Sequence, residues 1–183
     1  MKILILDGNP NSGSEQLDHY LKGLNEMLIS NDFTVERIRL DDRDIKYCTG
    51  CWSCWVKTPG ECAFKDDSHE VCRQYINSDF VLFASPAIMG FPSALLKKTM
   101  DKLIPLIHPY IEIVNGECHH RKRYDRYPKL GLLLEQSGDT DDEDIQIISD
   151  IFKRFAINLR SELCFSKTTT ESMEGVFDAI NHI

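Results

Sequence analysis

The stretch Lys2-Ile3-Leu4-Ile5-Leu6-Asp7-Gly8-Asn9-Pro10-Asn11-Ser12-Gly13-Ser14 decides the fold. Its first part is a short apolar run, the pattern of a strand buried on both faces. Its second part is a loop of small residues, after which Leu17, Leu21, Leu24 and Leu28 recur at helical spacing. A buried strand that passes through a tight loop into an amphipathic helix is the opening of a parallel α/β sheet.

The same pattern repeats outward along the chain. Asp79 to Ala84 and Lys129 to Glu135 are further buried-strand runs, while Phe33 to Leu40 and Arg160 to Phe165 are polar enough to predict half-exposed edge strands. Helical spacing joins Leu96, Met100, Leu103 and Ile107, and then Ile148, Ile151, Phe152, Phe155 and Leu159. A helix is predicted from Asp66, Asp67 and Ser68 with Val71, Cys72, Tyr75 and Ile76 inward, and a last one from about Ser172. Five parallel strands with the second and fifth at the edges give the doubly wound order 2-1-3-4-5. One domain over residues 1–183 is expected, with a long excursion at 108–128 in which Tyr110 to Val114 and Glu117 to Arg121 form a hairpin on Asn115-Gly116.

Composition narrows the function classes. A net charge of −8 opposes binding to nucleic acid or to anionic lipid surfaces. No apolar run approaches the roughly 20 residues of a membrane span, and with no signal-peptide pattern a cytoplasmic location is expected. In that compartment the seven cysteines are expected as reduced thiols or metal ligands rather than disulfides.

Ligands of an open parallel sheet bind outside the carboxyl ends of its strands. After the first strand, Asp7 to Ser14 suits an anion at a helix start, or a plain capped turn. After the third, Ser85 to Ser93 offers backbone groups and an apolar wall to a flat ring, with Pro92 suited to the first turn of the following helix. After the fourth, Gln136-Ser137-Gly138-Asp139-Thr140 leads into the acidic run Asp141 to Asp144, which reads as a stabilised helix start rather than a metal site.

The densest feature follows the second strand: Cys48-Thr49-Gly50-Cys51-Trp52-Ser53-Cys54, with Cys62 after the turn at Pro59-Gly60. Four thiols at this spacing suit an iron-sulfur cluster. A tetrahedral zinc site is less natural, because structural zinc sites usually pair two separated knuckles. Small cysteines that fill the loop and bind nothing are the third possibility.

These loops in this order resemble the NADPH-dependent FMN reductase branch of the flavodoxin-like proteins, and the cysteine loop is similar to that of its iron-sulfur flavoproteins. The resemblance runs from Lys2 to about Phe165, and its most specific parts are the four cysteines with Asp66-Asp67, and Ser85-Pro86 with Gly90, Ser93, Lys97 and Asp101. It implies that Asn9, Asn11, Ser12 and Ser14 hold the FMN phosphate, and that Pro86, Ala87, Ile88, Met89 and Gly90 with Gln136, Ser137, Gly138 and Asp139 border the isoalloxazine. In an iron-sulfur member Cys48, Cys51, Cys54 and Cys62 ligate a 4Fe-4S cluster, although related reductases keep much of this cysteine pattern without one. Asn11 stands where the family commonly has an arginine, the loop lacks the family's asparagine-threonine ending, Ile88 replaces an aromatic residue, and Ser137-Gly138-Asp139 replaces threonine-glycine-glycine.

The function so implied is an NAD(P)H-dependent oxidoreductase passing electrons through FMN to a small-molecule or protein acceptor. No catalytic side chain is required, because flavin N5 carries the chemistry. A non-catalytic electron carrier, and a flavin-free metal-binding or redox-sensing module, are the alternatives. Arg121, Lys122, Arg123 and Arg126 suit a nicotinamide 2′-phosphate or, more simply, an exposed loop or a subunit contact; His119 and His120 are expected to be exposed. Trp52 and Trp55 suit the flavin edge or a loop anchor. The excursion implies a homodimer or higher homo-oligomer.

Overall fold

The computed structural model describes residues 1–10, 14–114, 116–136, 138 and 140–183. Five parallel strands form the centre: β1 (Lys2–Asp7), β2 (Thr34–Arg39), β3 (Phe80–Ile88), β7 (Lys129–Glu135) and β8 (Leu163–Thr168), side by side as β2-β1-β3-β7-β8. Counted among the parallel strands alone, this is the expected order 2-1-3-4-5. A two-residue antiparallel strand, β4 (Phe91–Pro92), folds back on the end of β3.

Alternation along the central strands feeds a core on each face. Leu4 and Leu6 of β1 join Val81 and Phe83 of β3 on one side, while Ile3 and Ile5 join Phe80, Leu82 and Ala84 on the other. Helices α3 (Ser68–Ile76), α4 (Ala94–Asp101) and α5 (Asp142–Asn158) contribute to the first cluster, and α1 (Glu15–Ser30) and α6 (Met173–Asn181) to the second. Each fully buried Leu, Ile or Phe contributes roughly 1.5 to 3 kcal/mol. At Gly131 in β7, an added Cβ would lie 2.6 Å from Phe80 Cζ and 2.7 Å from Phe165 Cζ, so the two rings meet over a position that only glycine leaves open.

Local signals set the helix starts. Ser14, Ser93 and Ser172 cap α1, α4 and α6 by accepting from the backbone N–H three residues on. Asp141 and Asp144 form a reciprocal capping box on α5, as expected of the acidic run. The hairpin of the excursion is present as β5 (Ile107–Val114) and β6 (Glu117–Lys122), with Asn115 of its turn outside the described residues.

Three expectations are corrected. Ile107 belongs to β5, not to the helix of Leu96 and Met100: α4 ends at Asp101, and Pro105 in the following 3-10 turn cannot continue an α-helical ladder. Pro92 lies in β4 and Ser93 caps the next helix, so Pro92 stands before its first turn. Arg160 takes a left-handed turn conformation (φ 59°), which delays the last strand until Leu163. No described helix is long and apolar enough to cross a membrane, and all seven cysteines are free thiols.

Candidate functional site

The carboxyl ends of β1, β3 and β7 come together because register pairs Asp7 with Ala84 and Pro86 with Glu135. Below this edge the backbone lies close: Gly8 N–H donates to Ala84 (2.8 Å), Ser93 Oγ donates to Gly8 O (2.5 Å), and a Cβ on Gly8 would lie 2.8 Å from Leu96 Cβ.

Asn9 acts as a clip for the first loop. Its Nδ2 donates to Ser14 O (2.7 Å) and its Oδ1 accepts from Ser14 N–H (3.0 Å). The Ser14 hydroxyl accepts from Leu17 N–H and donates to the Glu135 carboxylate. Asp7, buried, accepts from Asn9 N–H and from Arg37, whose guanidinium reaches both Asp7 and Asp18 at 2.6 Å. Asn11 and Ser12, also expected at a phosphate, lie outside the described residues.

On the ring side, Pro86, Ala87 and Gly90 are buried, while Ile88, Met89 and Phe91 expose their side chains. Positive φ at Met89 (51°) and Gly90 (74°) turns the chain back so that β4 pairs with Ile88 and Ala87. Ser85 Oγ fixes the turn by accepting from Ser93 N–H at 2.8 Å. Gln136 folds onto Thr140 O (2.9 Å), Gly138 is exposed with open space around it, and Ser137 and Asp139 lie outside the described residues. The described residues thus offer an apolar ledge at the sheet edge, beside Asn9 and Ser14, whose polar groups already bond within the protein.

The cysteine loop leaves β2 and is closed at its base by Asp66 and Asp67. Asp66 accepts from Lys46 N–H (3.0 Å) and Asp67 from Asp44 N–H (2.8 Å). Cys48, Cys51, Cys54 and Cys62 line one cavity of about 190 Å³ together with Trp52, Trp55, Phe64 and Lys102. Cys54 sits in the short helix α2 (Ser53–Val56), reached through left-handed turns at Gly50 (φ 65°) and Trp52 (φ 62°). Among the described residues, no group of three ligating side chains is arranged to hold a metal ion. Burial and the three neighbouring thiols push the Cys54 thiol up, whereas hydrogen bonds from Ser53 hold the exposed Cys51 down.

Cys62 has the most determined setting. Its sulfur accepts from the buried Lys102 ammonium at 3.0 Å, and its carbonyl lies 2.9 Å from His69 Nε2. Lys102 Nζ is also 3.0 Å from Asp66, whose side chain is fully buried. Burial alone would raise the Asp66 carboxyl; the hydrogen bonds from Ser68, Lys102 and Lys46 overcome it and hold it down at about 2.

Over residues 1–120 the chain matches the family described as NADPH-dependent FMN reductase. It belongs to that family. Among curated proteins it is similar to an iron-sulfur flavoprotein of Archaeoglobus fulgidus, with 35% identity over 111 residues, covering 59% of this chain and 48% of the relative. An iron-sulfur flavoprotein of Methanocaldococcus jannaschii is 30% identical over 106 residues, covering 58% and 53% respectively. The chain therefore matches about half the length of these relatives. Among solved structures, the NAD(P)H:quinone oxidoreductase from Methanothermobacter marburgensis superposes with a TM-score of 0.69 at 15% identity, covering 99% of this chain and 93% of that one. An FMN-dependent NADH-azoreductase from Bacillus anthracis, in complex with FMN, gives 0.63 at 17% identity with 100% and 95% coverage. At these identities the likeness is one of fold.

Other side chains in this family member have settled structural roles. Trp55 anchors the cysteine loop to the hairpin: its Nε1 donates to Ile107 O (3.0 Å) and its ring lies 4.9 Å from that of His120. His119 is buried between Asn158 and Glu117, a correction to its expected exposure, because the pleat of β6 turns it toward α5. Of the basic run, Arg123 donates to Pro105 O, Arg126 pairs with Asp79 and Arg121 faces Glu112. Three residues that sequence reasoning did not single out, Arg37, Lys102 and Glu135, organise the two loops.

Proposed function

We propose that this chain is a flavin oxidoreductase that draws electrons from NAD(P)H in the cytoplasm and delivers them to a small-molecule or protein acceptor. The observation that carries this reading is the apolar ledge of Ile88, Met89 and Phe91 at the convergence of β1, β3 and β7, where open parallel sheets bind planar ligands. A flavin bound there supplies two-electron acceptance from a hydride donor and one-electron release.

Pro86, Ala87 and Gly90 would present backbone to the ring, and Ile88 and Met89 an apolar surface, with Gln136 and Gly138 on the opposite rim. Asn9 and Ser14 would border the phosphate end of FMN, where their side chains already bond within the protein; Asn11 and Ser12, the other two residues expected there, lie outside the described residues. What supports a 4Fe-4S cluster at the cysteine loop is that four cysteines line one cavity and a cluster takes four thiolates, although the described thiols are not gathered about one point. Cys48, Cys51, Cys54 and Cys62 would hold it and provide one-electron steps. Tyr110, Ile111 and Ile113, exposed on β5, suit contact with a second copy.

Anaerobically purified protein is expected to bind added flavin, to reduce it with NAD(P)H, and to contain iron and acid-labile sulfide. Absence of flavin binding and of NAD(P)H oxidation overturns the oxidoreductase reading; absence of iron and sulfide overturns the cluster alone.

A further inference from the structure

We infer that Lys102 sets the reduction potential of the group held by the cysteine loop, as a positioning residue that acts through Cys62 and favours the reduced state. This rests on the 4Fe-4S reading above and concerns one side chain behind one of its four thiols.

Lys102 is the only buried lysine or arginine among the described residues. Its backbone is fixed at the end of α4, where its N–H donates to Thr99 O and its carbonyl accepts from the Cys72 thiol (3.4 Å). The side chain reaches the cysteine cavity, and its ammonium ends 3.0 Å from Cys62 Sγ and 3.0 Å from Asp66 Oδ2, with the centre of the Phe64 ring 5.5 Å away. The Cys62 backbone is held as well, because His69 Nε2 lies 2.9 Å from Cys62 O and 3.1 Å from Phe64 O. A buried ion pair does little for net stability that apolar side chains of the same volume would not do. This one is set against a sulfur, with its positive member in contact.

The donor set suits a cluster: all four candidate ligands are thiols, Trp52, Trp55 and Phe64 supply apolar walls, and one buried cation offsets part of the thiolate charge. In a one-electron reduction the reduced flavin gives up one electron and the thiolate-bound group gains it, so the charge beside Cys62 becomes more negative by one unit. No bond breaks, and no proton moves at Lys102. Net charge and hydrogen bonds to the sulfurs set such potentials. An ammonium that donates to Cys62 Sγ stabilises the more negative state and raises the potential. Asp66 acts in the opposite direction and more weakly, because it meets the ammonium rather than the sulfur.

The test is a potentiometric titration of the whole chain, loaded anaerobically with ferrous iron and sulfide, followed by visible absorption and electron paramagnetic resonance, with iron content measured for each sample. Lys102→Met, similar in length but without charge or donor, is expected to shift the reduction equilibrium at least tenfold toward the oxidised state, about 59 mV for a one-electron couple. Asp66→Asn is expected to raise the potential. Opposite signs separate a charge effect from a loosened loop, which would move both variants the same way. Lys102→Met combined with Asp66→Asn leaves no buried charge unpaired, so it guards against misfolding of the single variant; its potential is expected between those of Lys102→Met and the unmodified chain. A Lys102→Met potential equal to or above that of the unmodified chain overturns the inference and leaves the cluster reading intact, and so does a fall in Asp66→Asn. Where neither Lys102 variant holds iron, the sign of the Asp66→Asn shift decides. An unmodified chain that takes up no iron and sulfide overturns the cluster reading and the inference with it.

Discussion

Asp66→Asn tests whether the base of the cysteine loop is held by charge. The substitution keeps the shape but leaves the Lys102 ammonium, 2% exposed, with no carboxylate 3.0 Å away. Breaking a buried pair from one side costs about 3 to 5 kcal/mol. Part of this follows from the carboxyl itself, held at about 2 against its usual 3.8; at 1.36 kcal/mol per pKa unit this is worth about 2 kcal/mol. The remainder is the penalty of isolating Lys102. For a chain of this size each kcal/mol lowers Tm by about 2 to 4 °C, so a fall of about 6 to 20 °C is expected at pH 7. The sign of the pH dependence is fixed. A depressed folded-state pKa stabilises above the unfolded value, and that contribution disappears as pH falls from about 4 through about 2. The gap between wild type and variant, followed by circular dichroism melts and by urea titration along a pH series, should therefore be full at pH 7 and narrow below pH 4. A Tm within about 2 °C of wild type at pH 7, or a gap that does not change with acid, refutes the buried-pair account.

Two further substitutions test close approaches. Gly90→Ala forces a side chain into a left-handed turn (φ +74°) and places its Cβ 2.6 Å from Asp144 Oδ1, a member of the α5 capping box; strain plus a lost cap should cost about 2 to 3 kcal/mol in urea unfolding and weaken flavin binding at the ledge. Gly131→Ala pushes Phe80 and Phe165 apart under the sheet, so its urea midpoint should fall by the equivalent of about 1 to 3 kcal/mol while the flavin affinity, set at the other end of β7, stays close to wild type.

The sheet was legible because β1, β3 and β7 are buried on both faces, and that leaves continuous apolar runs which no helix of the chain imitates. The polar edges were legible for the converse reason. Ile107 misled because its spacing continues that of Leu96 and Met100, whereas Pro105 had already closed the helical ladder. His119 looked like part of an exposed polar run, and only the pairing of β6 with β5 shows that its side faces Asn158. The candidate site was legible as a set of loops, since strand ends are where such loops meet. Its charges were not. Lys102 falls within the helical spacing that runs on to Ile107, and Glu135 closes the apolar run of β7; their partners Cys62 and Ser14 lie 40 and 121 positions away and become neighbours only through the fold.

The pinning of Lys46 and Asp44 by Asp66 and Asp67 has a consequence for how this protein is assembled from parts. Contacts spanning 20 and 23 positions bring the two ends of the cysteine segment together at its root. Once the ends are fixed, the cost of changing the length between them grows only with the logarithm of that length. The segment is thus an exchangeable cartridge on a fixed socket. The residues between the anchors can be rebuilt, shortened or removed while the parallel sheet beneath keeps its register.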